Sequence, residues 1–260
     1  MEGITHEPTV LPTIKPEGKE IYGEHLAPFL GGLFSAGGRV NLDIVNEVSK
    51  KVLKSGETRL YHKTVVHPVM MYNDSRESKI ERLKEVFGGG TFGEKSSHTF
   101  RWYQHKKEAA KLAALMKNLC PSRLEAIIAL QNWANTEDPE GQLVIARELR
   151  EQTGGKPTPV PEEAYMPLVN NPSFMAGVFE SRGLLYRVKH ENPTEGDSIA
   201  IASSNESLLN AIKNRWGGHI QRTNEKDRLI TISRTGTRTF LQAITPYLLS
   251  SLSEYQHKVA

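Results

Sequence analysis

The sequence predicts an α+β fold built from tandem, pseudo-symmetric αββαββα repeats, and three features carry that prediction. Two helix-compatible stretches, Leu26 to Gly38 and Ser173 to Gly183, mix small and large apolar residues and each end in glycine. The elements after each stretch follow in the same order, and such self-similarity is the mark of a duplicated unit. Between the two sets lies Thr153 to Pro172, where Gly154, Gly155, Pro157, Pro159, Pro161, Pro167 and Pro172 forbid a continuous helix and suit a linker. The expected partition is therefore an arm over 1–20, a first repeat over 21–152, a linker over 153–172 and a second repeat over 173–260.

Each element has a local reason. After the opening helix, Arg39 to Val45 and Arg59 to Met71 in the first half, and Leu184 to His190 and Ser198 to Ser203 in the second, show the alternation or β-branched content of strands. Amphipathic helices with Ser or Asn starts follow, Ser75 to Phe87 and Asn205 to Trp216, and each ends in an aromatic residue and Gly-Gly. Hairpins are expected over Thr91 to Tyr103 and His219 to Arg234, then a helix and a final helix led by Pro121 or Pro246. The start to Lys19 is rich in Pro, Thr and Glu without periodicity and reads as an arm.

Composition sets outer limits. At 260 residues the chain can bury a real core, and its net charge of +3 is too mild to announce a partner by itself. No apolar run approaches the roughly 18 residues needed to cross a bilayer, and Met1 to Lys19 carries Glu2, Glu7 and Glu17 without an apolar centre. An intracellular protein with no membrane partner is expected, its compartment left open. Cys120 is the only cysteine, so an internal disulfide is impossible, and the histidines are not paired at ligand spacing. No structural metal is expected.

The nonapeptides Leu30-Gly31-Gly32-Leu33-Phe34-Ser35-Ala36-Gly37-Gly38 and Met175-Ala176-Gly177-Val178-Phe179-Glu180-Ser181-Arg182-Gly183 resemble the signature helix of the LAGLIDADG homing endonucleases, in their single-chain two-repeat form. The resemblance spans nearly the whole chain. It implies that the two helices pack together at the centre, an approach that needs the small residues Gly31, Gly32, Ala176 and Gly177. It also implies two saddle-shaped antiparallel sheets of four strands each that straddle the major groove of duplex DNA, in a monomer with internal pseudo-two-fold symmetry. Organelle localisation is possible by the same resemblance.

On that saddle the candidate readers are Arg39, Asn41, Arg59, Tyr61, Lys63, Arg101 and Tyr103 in the first half, and Tyr186, Arg187, Lys189, Arg222, Asn224, Arg228 and Arg234 in the second. Arg and Lys can pair with guanine edges or phosphates, and Asn with adenine. Register decides the face each occupies, and a slip by one residue inverts the set. Lys50, Lys51 and Lys54, between the first two strands, read as phosphate contacts.

The resemblance also implies where cleavage chemistry would sit. The family holds divalent metals with one acid at the end of each signature helix, just before the final glycine, because a hard cation needs carboxylate oxygens. Those positions are Gly37 and Arg182 here, and no Asp or Glu occurs between His25 and Leu42. Glu180 lies two residues before Arg182, roughly 200° round the helix. The family's lysine near the start of each repeat's last helix corresponds to Ala126 and Ser251. The catalytic positions are thus degenerate, and a binding scaffold without nuclease activity or cofactor is expected.

Other signals carry less. Gly88-Gly89-Gly90-Thr91-Phe92-Gly93 looks like a phosphate-cradling loop but follows a helix and precedes a strand, the reverse of the required order, so a turn is expected. His62 and His67 read as exposed polar residues, Lys106 to Leu119 as an amphipathic core helix, and Trp102, Trp133 and Trp216 as packing aromatics. Three functional classes remain: a non-cleaving binder of double-stranded DNA or structured RNA, such as a splicing cofactor, regulator or ribonucleoprotein component; an active site-specific DNA endonuclease that would need Mg2+; and a structural protein of a large assembly.

Overall fold

Capping chemistry and glycine placement set the element boundaries in the computed structural model, which describes residues 23–52, 56–94, 97–187, 198–223, 228–232, 234–250, 252 and 256–258. The expected arm over 1–20 lies outside them. The first repeat runs α1 (Gly23–Ala36), β1 (Arg39–Val52), β2 (Thr58–Asp74), α2 (Glu77–Phe87), β3 (Gly90–Glu94), β4 (Thr99–His105), α3 (Lys106–Leu115), a 3-10 turn at Pro121–Arg123, α4 (Leu124–Asn135) and α5 (Pro139–Thr153). The second runs α6 (Pro172–Arg182), β5 (Gly183–Arg187), β6 (Ser198–Ser203), α7 (Glu206–Trp216), β7 (His219–Arg222), β8 (Arg228–Ile232), α8 (Arg234–Ile244), a 3-10 turn at Thr245–Tyr247 and β9 (Gln256–Lys258).

The repeat is three-dimensional as well as sequential. After α2 and α7 the Gly-Gly pairs take positive φ, 69° and 89° at Gly88 and Gly89 and 75° and 113° at Gly217 and Gly218, which an L side chain rarely adopts. Asn171 caps α6 by accepting from the Ser173 and Phe174 amides, and Asn205 caps α7 by accepting from Leu208. Both halves build an aromatic cluster on their signature helix. Phe34 and Phe87 flank Trp102 at 6.3 and 6.1 Å, while Phe179 and Trp216 flank Phe240 at 6.0 and 5.1 Å. The third ring comes from a strand in the first half and a helix in the second.

The first sheet has the order β1-β2-β4-β3, all antiparallel. Val40, Leu42, Val66, Met70, Tyr72 and Trp102 occupy one face of it and are buried against the helices. The second sheet departs from the expected four strands: its order is β7-β8-β6-β5-β9, with β9 added parallel to β5. Its helix-side face carries Leu185, Ile199, Ile201, Ile230 and Ile232.

Several expectations are corrected. The β1–β2 hairpin is longer than its alternation suggested, so Lys50 and Lys51 belong to β1, opposite Leu60 and Arg59, and not to an insertion; Lys54 lies outside the described residues. Pro246 leads only a 3-10 turn, because the Leu249 and Ser250 amides that a helix would use donate instead to Glu180 Oε1 at 2.7 and 2.9 Å. Arg234 opens α8 and is not part of the hairpin. The stretch read as a linker packs down: Tyr165 and Val169 are buried, and the Tyr165 hydroxyl accepts from Asn205 Nδ2 at 2.7 Å. The helix α5, capped by Asp138 and closed by Gly154 in the left-handed region, was not foreseen.

Candidate nucleic-acid interface

The site begins where α1 and α6 cross. A Cβ on Gly32 would run into the Phe174 carbonyl oxygen, and one on Gly177 would run into that of Phe29, a reciprocal contact expected of a pseudo-two-fold axis. Ala176 is fully buried in the same helix. Gly31 is different: its Cβ would lie 2.6 Å from the Leu119 carbonyl, so it admits the chain after α3 and not the partner helix.

At the C-terminal tip of this pair stand Gly37 and Arg182. A Cβ on Gly37 would lie 2.7 Å from Arg182 Nε and 2.5 Å from Ser181 Oγ, so the arginine side chain covers the space that a residue 37 side chain would take. Arg123 Nη2 donates to the Gly38 carbonyl at 2.5 Å, capping the end of α1. Burial lowers the Arg123 pKa, and the neighbouring Arg39 charge lowers it further, although it remains a cation. Among the described residues no carboxylate pairs with Arg182 or Arg123.

The end of α6 is capped by cross-repeat donors. Lys79 Nζ donates to the Glu180 carbonyl, and the Tyr72 hydroxyl donates to the Ser181 carbonyl at 3.0 Å. Lys79 is wholly buried, 2.8 Å from Asp74 Oδ2 and 3.7 Å from Glu180 Oε2. Burial pulls the Lys79 pKa below its ordinary value against the pull of the two carboxylates. Burial alone would raise the pKa of Asp74, but hydrogen bonds from Arg76 and the Lys79 charge outweigh it and hold the carboxyl well below its usual range. Glu180 is fully buried, so its carboxylate is committed to Lys79 and to the 249–250 amides.

These residues do not fit a divalent cation at the tip. Neither Gly37 nor Arg182 offers a side-chain oxygen ligand, the nearest helix acid is spent internally, and the exposed charge is positive. Ala126 is buried in α4 and presents no donor, and Ser251 lies outside the described residues. Among the described residues no group of three or more His, Cys, Asp or Glu side chains converges.

The face of the first sheet turned away from the helices is set by register. Arg39 pairs with Met71, Asn41 with Val69, Lys63 with Glu47, Tyr61 with Ser49 and Arg59 with Lys51, and across β2 Tyr103 meets Met71 and Arg101 meets Asn73. All seven first-half candidates therefore share one face. Their geometry is constrained: Arg39 Nη2 and Asn41 Nδ2 both donate to Asp43 Oδ1, at 2.6 and 2.8 Å, and Arg101 Nε donates to Asn73 Oδ1 at 3.0 Å. The Tyr103 ring lies across Gly90 and 4.7 Å from the His105 ring. His67 Nε2 lies 3.0 Å from Glu47 Oε1, which accepts from the ring, and His62 is exposed on the opposite side of the ribbon. Val45 and Phe92, 40% and 60% exposed, add apolar area to the open face.

The second half is placed otherwise. Arg222 pairs with Arg228 in the register that puts Ile220 opposite Ile230 on the helix side, and Arg228 forms an ion pair with Glu206 in the first turn of α7. Both arginines thus leave the face on which the sequence reading put them, the outcome of a one-residue slip. His219 and Gln221 take the outward positions instead. Tyr186 and Arg187 stand on β5, Tyr186 opposite Ser198, and Lys189 and Asn224 lie outside the described residues. Sequence reasoning missed Asp43 as a tether, Arg123 as a cap and the Lys79 cluster; a lone acid, Glu180, in a helix of small apolar residues was the available signal.

No protein-family model and no curated protein matches the sequence. Solved structures do share its fold. The LAGLIDADG homing endonuclease I-GzeII in complex with its DNA target is 12% identical, with 87% of this chain and 85% of that one covered at a TM-score of 0.55. I-LtrWI, a LAGLIDADG homing endonuclease bound to target DNA, is 14% identical, with 89% and 87% covered at 0.54. The LAGLIDADG meganuclease I-AabMI, bound to uncleaved DNA, is 10% identical, with 88% and 86% covered at 0.55. The chain therefore has the LAGLIDADG homing-endonuclease fold. No described helix is long and apolar enough to cross a membrane.

Proposed function

We propose that this chain, which carries the homing-endonuclease fold, binds double-stranded DNA or structured RNA across the open faces of its sheets and does not cleave it. The observation that supports this reading best is the tip of the central helices, where Gly37 and Arg182 replace the paired oxygen ligands that metal-dependent phosphodiester hydrolysis needs. The binding half of the proposal draws on Arg39, Asn41, Arg59, Tyr61, Lys63, Arg101 and Tyr103, which share one face and whose cationic and amide groups match phosphates and base edges. Asp43 serves that face as a positioning residue, accepting hydrogen bonds from both Arg39 and Asn41. A splicing cofactor, a regulator or a ribonucleoprotein component would each use such a surface without chemistry. A monomer suffices, since both halves of the surface belong to one chain.

The test is fluorescence anisotropy with a labelled random-sequence duplex and a labelled RNA stem-loop, in EDTA, across a salt titration. Binding that weakens linearly in log salt is the expected result for at least one probe. Absence of binding to both, or binding that requires Mg2+, refutes the proposal.

A further inference from the structure

We propose that the tip of the α1–α6 pair is itself a phosphodiester-binding site, in which Arg182, seated against Gly37, receives a backbone phosphate directly and without a metal ion. The inference deepens the nucleic-acid reading and rests on it. Arg182 is exposed, without a carboxylate partner among the described residues, and is held in place because Gly37 leaves room for its Nε. Ser181 Oγ, buried beside the same glycine, has no hydrogen-bond partner. Arg123 is anchored on the Gly38 carbonyl and keeps a buried Nε without a partner. Arg39, two residues past Gly37 and 46% exposed, adds positive charge on the open face of the sheet, partly answered by Asp43.

Elementary electrostatics favours an anion there. Helix C-termini ordinarily carry negative partial charge, but here the Glu180 and Ser181 carbonyls of α6 are taken by Lys79 and Tyr72, and the Gly38 carbonyl by Arg123. What faces solvent is then the guanidinium of Arg182, which offers a planar fork of donors suited to two phosphate oxygens. A divalent cation would be repelled by the same group. A direct ion pair between Arg182 and the phosphate thus takes the place of a metal bridge.

Arg182→Gln, Arg182→Lys and, as a charge control remote from the face, Lys111→Gln are compared with the unmodified chain by anisotropy on the random-sequence duplex and the RNA stem-loop, in EDTA. Melting curves check that each variant folds, which the exposure of Arg182 favours. Arg182→Gln is expected to weaken binding about tenfold and to lower the slope of log K against log salt by about 0.9 on duplex, or about 0.7 on single-stranded contacts. Arg182→Lys, which keeps the charge, retains the slope, and Lys111→Gln leaves it unchanged. An unchanged slope in Arg182→Gln, or an equal loss in Lys111→Gln, overturns the site while leaving the nucleic-acid reading standing. Failure of the unmodified chain to bind either probe overturns both.

Discussion

Replacing Lys79 with methionine tests how the two repeats are joined. The lysine comes from α2 of the first repeat, is fully buried, and lies 2.8 Å from Asp74 and 3.7 Å from Glu180 of the second repeat. At an effective dielectric constant of about 20, Coulomb attraction at those distances is roughly 6 and 4.5 kcal/mol, and several kcal/mol of desolvation per ion offset most of it. The net worth of the cluster is therefore small, but breaking it is not. Methionine fills the space and leaves Glu180 as a buried carboxylate with only the 249–250 amides to answer it, as well as removing the donor to the Glu180 carbonyl. The expected loss is about 3–5 kcal/mol, which for a chain of this size lowers the melting temperature by roughly 10 °C. Glu180→Gln in the same background keeps an acceptor for both amides and removes the stranded charge, so the double variant recovers part of the loss. Urea denaturation of the two single variants and the double variant gives the coupling energy, expected to exceed about 1 kcal/mol. A Lys79→Met chain within 1 kcal/mol of the unmodified protein, or strict additivity, would refute the reasoning.

Gly32→Ala or Gly177→Ala forces a methyl group against a backbone carbonyl of the facing helix, and should cost about 3 kcal/mol or more. Gly23→Ala, whose Cβ meets nothing within 4 Å, is the neutral control in the same melting experiment. The depressed pKa of Asp74 contributes stability that is present above its unfolded value near about 4 and is lost as pH falls below it. Denaturation at acid and neutral pH should accordingly show a smaller acid loss in Asp74→Asn than in the unmodified chain. Burial pushes the Cys120 thiol up to about 11 beside the Ser35 hydroxyl, so iodoacetamide at mildly alkaline pH should label it only after denaturant is added; rapid labelling of the folded chain would contradict its placement.

How far the sequence could be read depended on whether a feature was local. Helix ends with an Asn start or Gly-Gly stops, at Asn205, Gly88 and Gly217, were legible because each is set within a few residues, whereas the Asn171 cap lay inside the stretch read as a linker. In the first sheet the candidates sit at alternate positions of each strand, so one register suffices to place all seven on the same face, although β1 runs further than its alternation suggested. In the second sheet β7 and β8 are short, so nothing local fixed which of Arg222 and Gln221 faced outward, and the arginines were assigned to the wrong side. The segment after Pro246 has helical composition, yet Glu180, some seventy residues earlier, removes two amides that the helix would need. Lys79 was invisible for the same reason: its partner in the second repeat is brought near only by the crossing of α1 and α6. The tip was legible in identity, Gly37 and Arg182, but the seating of one against the other required coordinates.

The central claim, a homing-endonuclease fold that holds nucleic acid without cutting it, is tested most directly by incubating the chain with randomised duplex DNA and structured RNA in Mg2+ and resolving the products on a denaturing gel. Salt-sensitive retention with every strand at full length is the predicted result. Discrete fragments that appear with Mg2+, vanish in EDTA and survive repurification of the protein would contradict it.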